Sequence, residues 1–241
     1  MKIVLWISAA ILCAASAQSL AGKLPSEFTY IIYFKGKDVG KTTTKVAETA
    51  ETYVLESQTK VAAEGLELDL NTKTVVDKET FLPVSFTYAG SSQQKTVEGE
   101  TTIEGNEATC VVGVDGEQFS SSRVSKQPLL LLEEYVMSHE VVLAKAFWES
   151  GEDRAEFGLL FPSQANLTSV QISKGSELAF ESEKEETYCV KFIVSITNGA
   201  PFASYYDPER GLPVYLAFPS SSTEVFLDEF FDGKPLSRYR E

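Results

Sequence analysis

The chain has 241 residues, 43% of them hydrophobic, and a formal net charge of −14. That length buries a sizeable core as one large domain or two small ones. The excess of 35 acidic over 21 basic residues argues against a partner held through phosphate-backbone contacts, because nucleic-acid binding leans on Lys and Arg. It also repels anionic lipid surfaces, and its plain consequence is solubility.

The first residues are laid out as a secretory signal. Lys2 gives a short positive start, Ile3 to Leu12 is apolar, and Ala15-Ser16-Ala17 supplies the small-x-small pattern a signal peptidase needs. Residues 1–17 are therefore expected to be removed, and Ser19-Leu20-Ala21 offers a second cut. The run is too short to span a bilayer, which takes roughly 20 apolar residues, and no later stretch comes close. Leu12 precedes Cys13 where acylation of that cysteine would want a small side chain. The mature chain, 18–241, is expected in the periplasm or outside the cell.

Alternation with a period of two dominates the mature chain. Tyr53, Leu55, Ser57, Thr59 and Val61 share a face, as do Leu66, Leu68 and Leu70. Val84, Phe86 and Tyr88 form another such set, and so do Tyr188, Val190, Phe192, Val194 and Ile196. Strands of this kind bury one face and wet the other, as antiparallel sheets do. Turn residues punctuate them at Gly36, Gly90-Ser91-Ser92, Gly105-Asn106, Asp115-Gly116, Asn198-Gly199 and Asp232-Gly233. The stretch Gly36-Lys37-Asp38-Val39-Gly40-Lys41-Thr42 is one residue short of a phosphate-binding loop and lies between two strand-like runs, so it reads as a hairpin turn.

One segment breaks the rhythm. Pro128 to Glu149 carries Leu132, Tyr135, Val136, Leu143, Ala146 and Phe147 at helical spacing, with Pro128 suited to a first turn and Gly151 to an end. This predicts a helix of about 128–149, roughly 30 Å long at about 1.5 Å per residue. Its broad apolar flank fits a groove better than a flat surface.

Asp77-Lys78-Glu79-Thr80-Phe81-Leu82-Pro83-Val84 and Asp207-Pro208-Glu209-Arg210-Gly211-Leu212-Pro213-Val214 match at Asp, Glu, Leu, Pro and Val with identical spacing. Convergent turn chemistry explains the match. So does a sheet of two related halves, 18–127 and 150–241, joined through the helix.

Catalytic signatures are weak. His139 is the single histidine and falls inside the predicted helix, with no Gly-x-Ser-x-Gly elbow to accompany it. No metal site or cofactor is expected. The acidic runs Glu133-Glu134, Glu152-Asp153 and Glu181 to Glu186 could in principle supply paired carboxylates for hydrolysis, but such runs more often form solvated faces. Cys110 and Cys189 remain after processing. They are either two separate buried thiols or a disulfide worth about 4 kcal/mol in the chain-entropy model.

The aromatic strand end Tyr205-Tyr206, the Asp207-to-Pro213 turn and the next strand resemble a feature of the Lol-type lipoprotein carriers and their uncharacterised periplasmic relatives, as does the Asp77 to Val84 copy. The resemblance implies a strongly curved, incompletely closed antiparallel barrel. A helix would cover its concave face, above an apolar cavity. The leading expectation is a non-enzymatic envelope protein that binds a lipid or acyl chain, or an acylated protein. The cavity would be lined by Leu66, Leu68, Phe86 and Tyr88 together with Leu132, Val136, Leu143 and Phe147. The alternatives are an interaction scaffold with a packed core, docking through the Asp228 to Glu241 tail with its Phe226, Phe230, Phe231 and Tyr239, and a carboxylate-dependent hydrolase.

Overall fold

The computed structural model describes residues 23–63, 65–181 and 186–230. Residues 1–17, expected to be a signal segment, residues 182–185 of the acidic run and the tail from Phe231 onward, including Tyr239, lie outside the described residues.

The alternating runs become strands β1 (Glu27–Phe34), β2 (Lys37–Glu48), β3 (Thr52–Ala63), β4 (Leu66–Asp77), β5 (Pro83–Ser92), β6 (Lys95–Glu104), β7 (Glu107–Val114) and β8 (Glu117–Val124). After a short β9 (Leu129–Leu131) and helix α1 (Met137–Glu149) come β10 (Arg154–Phe161), β11 (Asn166–Glu181), β12 (Glu186–Ile196), β13 (Phe202–Asp207), β14 (Leu212–Phe218) and β15 (Thr223–Leu227). They form one 15-stranded sheet in the order β8-β7-β6-β5-β4-β3-β2-β1-β15-β14-β13-β12-β11-β10-β9. Two meanders are thus joined where β1 pairs with β15, and all neighbours are antiparallel except β9 and β10.

The sheet curls back on itself without a closing ladder. Its edges, β8 and β9, are not hydrogen-bonded to one another. Side chains make the closure instead. Ser125, just past β8, lies so close over Gly158 of β10 that a Cβ there would collide with it. The 3-10 turn Pro162–Gln164 packs against β6 and β7. The result is the expected curved, incompletely closed antiparallel barrel, mainly β, with one central helix.

The helix differs from the expected 128–149 at its start. Leu129–Leu131 is a fully buried strand pairing with β10, and Pro128 accepts a hydrogen bond from the Gly158 amide at 2.9 Å. A short run apolar on every side cannot be assigned to helix or strand by periodicity, and Pro is also at home at a strand start. Tyr135 then takes a left-handed φ of 63°, which blocks a continuous helix, so α1 begins at Met137. Met137 through Phe147 are all buried, and the helix touches β4, β9 and β14, so the sheet wraps around it. A filled aromatic layer lies beside it: Phe147 meets Phe192 edge-on at 5.0 Å, and Phe192 stacks on Tyr206 at 5.4 Å.

Two bulges change which side chains face inward. The β4–β5 register shifts between Val75 and Val76, and Val84 points out while Phe86 and Tyr88 point in. The β11–β12 register shifts between Lys174 and Glu177, opposite Phe192 and Val190. As a result Thr187 and Cys189 are buried along with Val190, while Tyr188 is 69% exposed. Cys110 and Cys189 are both free and buried, so no bridge joins them.

The repeated octapeptide folds the same way twice. Asp77 Oδ1 accepts from the amides of Glu79 and Thr80 at 3.1 and 2.8 Å, and Asp207 Oδ1 accepts from those of Glu209 and Arg210 at 2.8 and 3.1 Å. In each turn the fifth residue donates its amide to the Asp carbonyl and has positive φ, 57° at Phe81 and 69° at Gly211.

Candidate functional site: an apolar cavity with an acidic wall

At one end of the barrel the interior is not filled. A cavity of about 670 Å³ lies among the inward side chains of β4 to β7, the 132–137 segment, the Pro162–Gln164 turn and the chain around Phe202 and Phe218. Leu66, Leu68, Leu70, Val97, Val112 and Phe202 give it an apolar lining. They face inward because each is on the inner side of a period-two strand.

Of the eight residues expected to line a cavity, Leu66, Leu68, Tyr88 and Leu132 do so. Phe86, Val136, Leu143 and Phe147 do not. All four are buried core. The helix lies deeper than expected and turns those residues into packing.

The wall also carries polar groups that the sequence reading did not bring together, and one of them, Glu140, it did not single out. Glu133 is held by Ser163, whose amide and hydroxyl donate to its two carboxyl oxygens at 2.8 Å each. Burial raises its pKa, and the Ser163 hydrogen bonds only partly offset this. Glu140, on α1, is 3% exposed, and its Oε2 has no hydrogen-bond partner. Burial, aided by the charge of Glu133, pushes its pKa up to about 8. Tyr88 is 7% exposed with an unpartnered hydroxyl, and burial with the Glu133 charge pushes its pKa up to about 12. Its ring lies on Gly99 of the paired strand, where any Cβ would collide with it. Glu134 and the left-handed Tyr135 complete this wall. Beside Glu140, His139 is fully buried against Phe86 at 4.4 Å with neither ring nitrogen bonded, and desolvation pushes its pKa down to about 3.

The remaining sites of the sequence reading are dispersed. Glu152 and Asp153 are exposed, and Phe226 and Phe230 are buried at 4% each, so neither aromatic is available as a docking surface. Among the described residues no cluster of three or more His, Cys, Asp or Glu side chains is placed to hold a metal ion, and no helix is long and apolar enough to cross a membrane.

No family model matches the chain, and no curated protein does. Two solved structures are similar in shape. A β-barrel-like protein of the domain of unknown function DUF1849 from Brucella abortus superposes with a TM-score of 0.48 at 12% identity, covering 86% of this chain and 96% of that one. A DUF1089 family protein from Pseudomonas aeruginosa gives 0.44 at 10% identity, covering 92% and 98%.

Proposed function

We propose that this is an exported, non-enzymatic protein of the cell envelope that binds the apolar chain of a lipid, or of an acylated protein, in the cavity between its two meanders. The observation that carries the reading is the unfilled space of about 670 Å³ behind Leu66, Leu68, Leu70, Val97 and Val112. Protein interiors are close-packed, with few voids larger than a water molecule, and ligand pockets run about 300–1,000 Å³. An acyl chain placed there gains about 0.8 kcal/mol per buried methylene. The turn resemblance to Lol-type carriers points the same way, and the signal-like N-terminus supports an extracytoplasmic location.

Displacement of a fluorescent acyl probe tests this. The native chain is expected to take up the probe, and Val112→Trp, which fills the cavity from β7, is expected to lose uptake at least about tenfold while keeping its fold, a difference of about 1.4 kcal/mol. Equal uptake by both would refute the cavity as the site.

A second reading rests on a different feature. Strand β8 is a free sheet edge whose residues are almost all exposed, including Phe119 and Val124 at 54% and 70%. Such an edge accepts an added strand, and the protein then acts as an interaction scaffold.

A further inference from the structure

The wall of the cavity is chemically one-sided. Among the described residues its charged side chains are Glu133, Glu134 and Glu140, and no Lys, Arg or His lines it. Glu140 is 3% exposed with an oxygen that no described residue bonds, and the Tyr88 hydroxyl is likewise unsatisfied among the described residues. A buried polar atom left without a partner is unfavourable, and native structures hold few of them. Glu133 is fixed in place by Ser163, so the wall is preorganised rather than floppy.

We propose that the cavity takes an amphiphile carrying a protonated amine on its apolar chain, with the ammonium seated against Glu140 and Glu133 beside the Tyr88 hydroxyl. This rests on the reading of the cavity as an apolar-chain site and adds the chemistry of the head. An ammonium brings three donors and a positive charge, which match two carboxylates and a phenol oxygen. A carboxylate or phosphate head would meet acidic side chains with no cation to pair with it.

Proton linkage is built into the same geometry. The titratable groups around Glu140 are Glu133, Glu134 and Tyr135 from the segment before α1, Tyr88 from β5, Tyr30 from β1 and His139 on its own helix. His139 is held neutral by burial and contributes no charge near neutral pH. In the empty site burial keeps the Glu140 proton on up to about pH 8. Docking of an ammonium favours the carboxylate, so a proton leaves. Affinity then rises with pH by about tenfold per pH unit until that value is reached.

The test is calorimetric titration of the full chain with dodecylamine, dodecanol and dodecanoate, each in monomeric form, from about pH 6 to about pH 8. The amine is expected to bind at least about tenfold tighter than the alcohol, with dodecanoate weakest and with proton release on amine binding. Glu140→Gln should abolish the amine preference and the proton release while retaining dodecanol, whose binding reports that the variant is folded. Glu133→Gln should give a smaller loss of the same kind. Adsorption of a cation to an acidic surface would leave both variants unchanged and would overturn the proposal. Equal binding of the three ligands by the native chain would also overturn it, leaving the apolar-chain reading intact. No binding of any of them would remove that reading and the proposal together.

Discussion

Two adjacent buried side chains, His139 and Glu140, dominate the chemistry at the residue scale, and they titrate in opposite senses. Glu140 has a folded pKa of about 8 against an ordinary value of 4.5. The folded state therefore holds its proton more tightly than the unfolded chain does, and stability is full below about pH 4.5 and falls as pH rises towards 8. His139 goes the other way: its value drops from 6.5 to about 3, so its contribution is complete above pH 6.5 and lost as pH falls towards 3. Each full excursion is worth on the order of 3–5 kcal/mol. Urea midpoints measured across this range are expected to decline on both sides of a mildly acidic maximum. Glu140→Gln should flatten the alkaline limb and His139→Leu the acid limb. An unchanged alkaline limb in Glu140→Gln would show that the carboxyl is solvated and the cavity wall is wrong. The burial of this pair was not legible in the sequence. A Glu on a helix normally marks the solvated face, and only a sheet wrapped around every side of the helix reverses that expectation.

At the scale of elements, the two matching turns differ in what surrounds them. Asp77 is a surface turn acceptor, whereas Asp207 is 1% exposed and also accepts from Thr187 Oγ1 at 2.7 Å and Arg210 at 2.5 Å. Asp77→Ala should cost about 1 kcal/mol, the net worth of turn hydrogen bonds. Asp207→Ala should cost more, about 1.5–3 kcal/mol, because it removes charge-assisted hydrogen bonds made by a buried carboxylate. Equal losses in chemical denaturation would contradict the assignment. Phe147→Ala belongs to the same scale: it empties a site packed on Phe192 and should cost about 3–5 kcal/mol. Alternation in the sequence located most of these strands because one wetted face leaves a period of two. It failed where bulges shift the phase, at Val84 and Tyr188, and where Leu129–Leu131 is buried on all sides and so carries no period.

At the scale of the whole molecule, the described residues form a 15-stranded sheet that curves far enough for its ends to meet through side chains, enclosing α1 along most of its length and leaving one end empty. The mainly β character was legible from alternation and turns, and the curved architecture was expected from the turn resemblance. Part of the cavity lining was legible too, since Leu66, Leu68, Tyr88 and Leu132, half of the residues expected there, were placed inward by pattern or helical stripe. The depth of the helix was not, because it depends on how far the sheet curls, and that is set by pairings such as β1 with β15 that lie far apart in the chain. The central claim is that the empty end holds an apolar chain. Native mass spectrometry of the protein purified from the envelope fraction, followed by denaturation and lipid extraction, tests it most directly. The account predicts a stoichiometric co-purifying amphiphile, lost in Val112→Trp. A bare polypeptide mass, together with no uptake of added acyl probe, would contradict it.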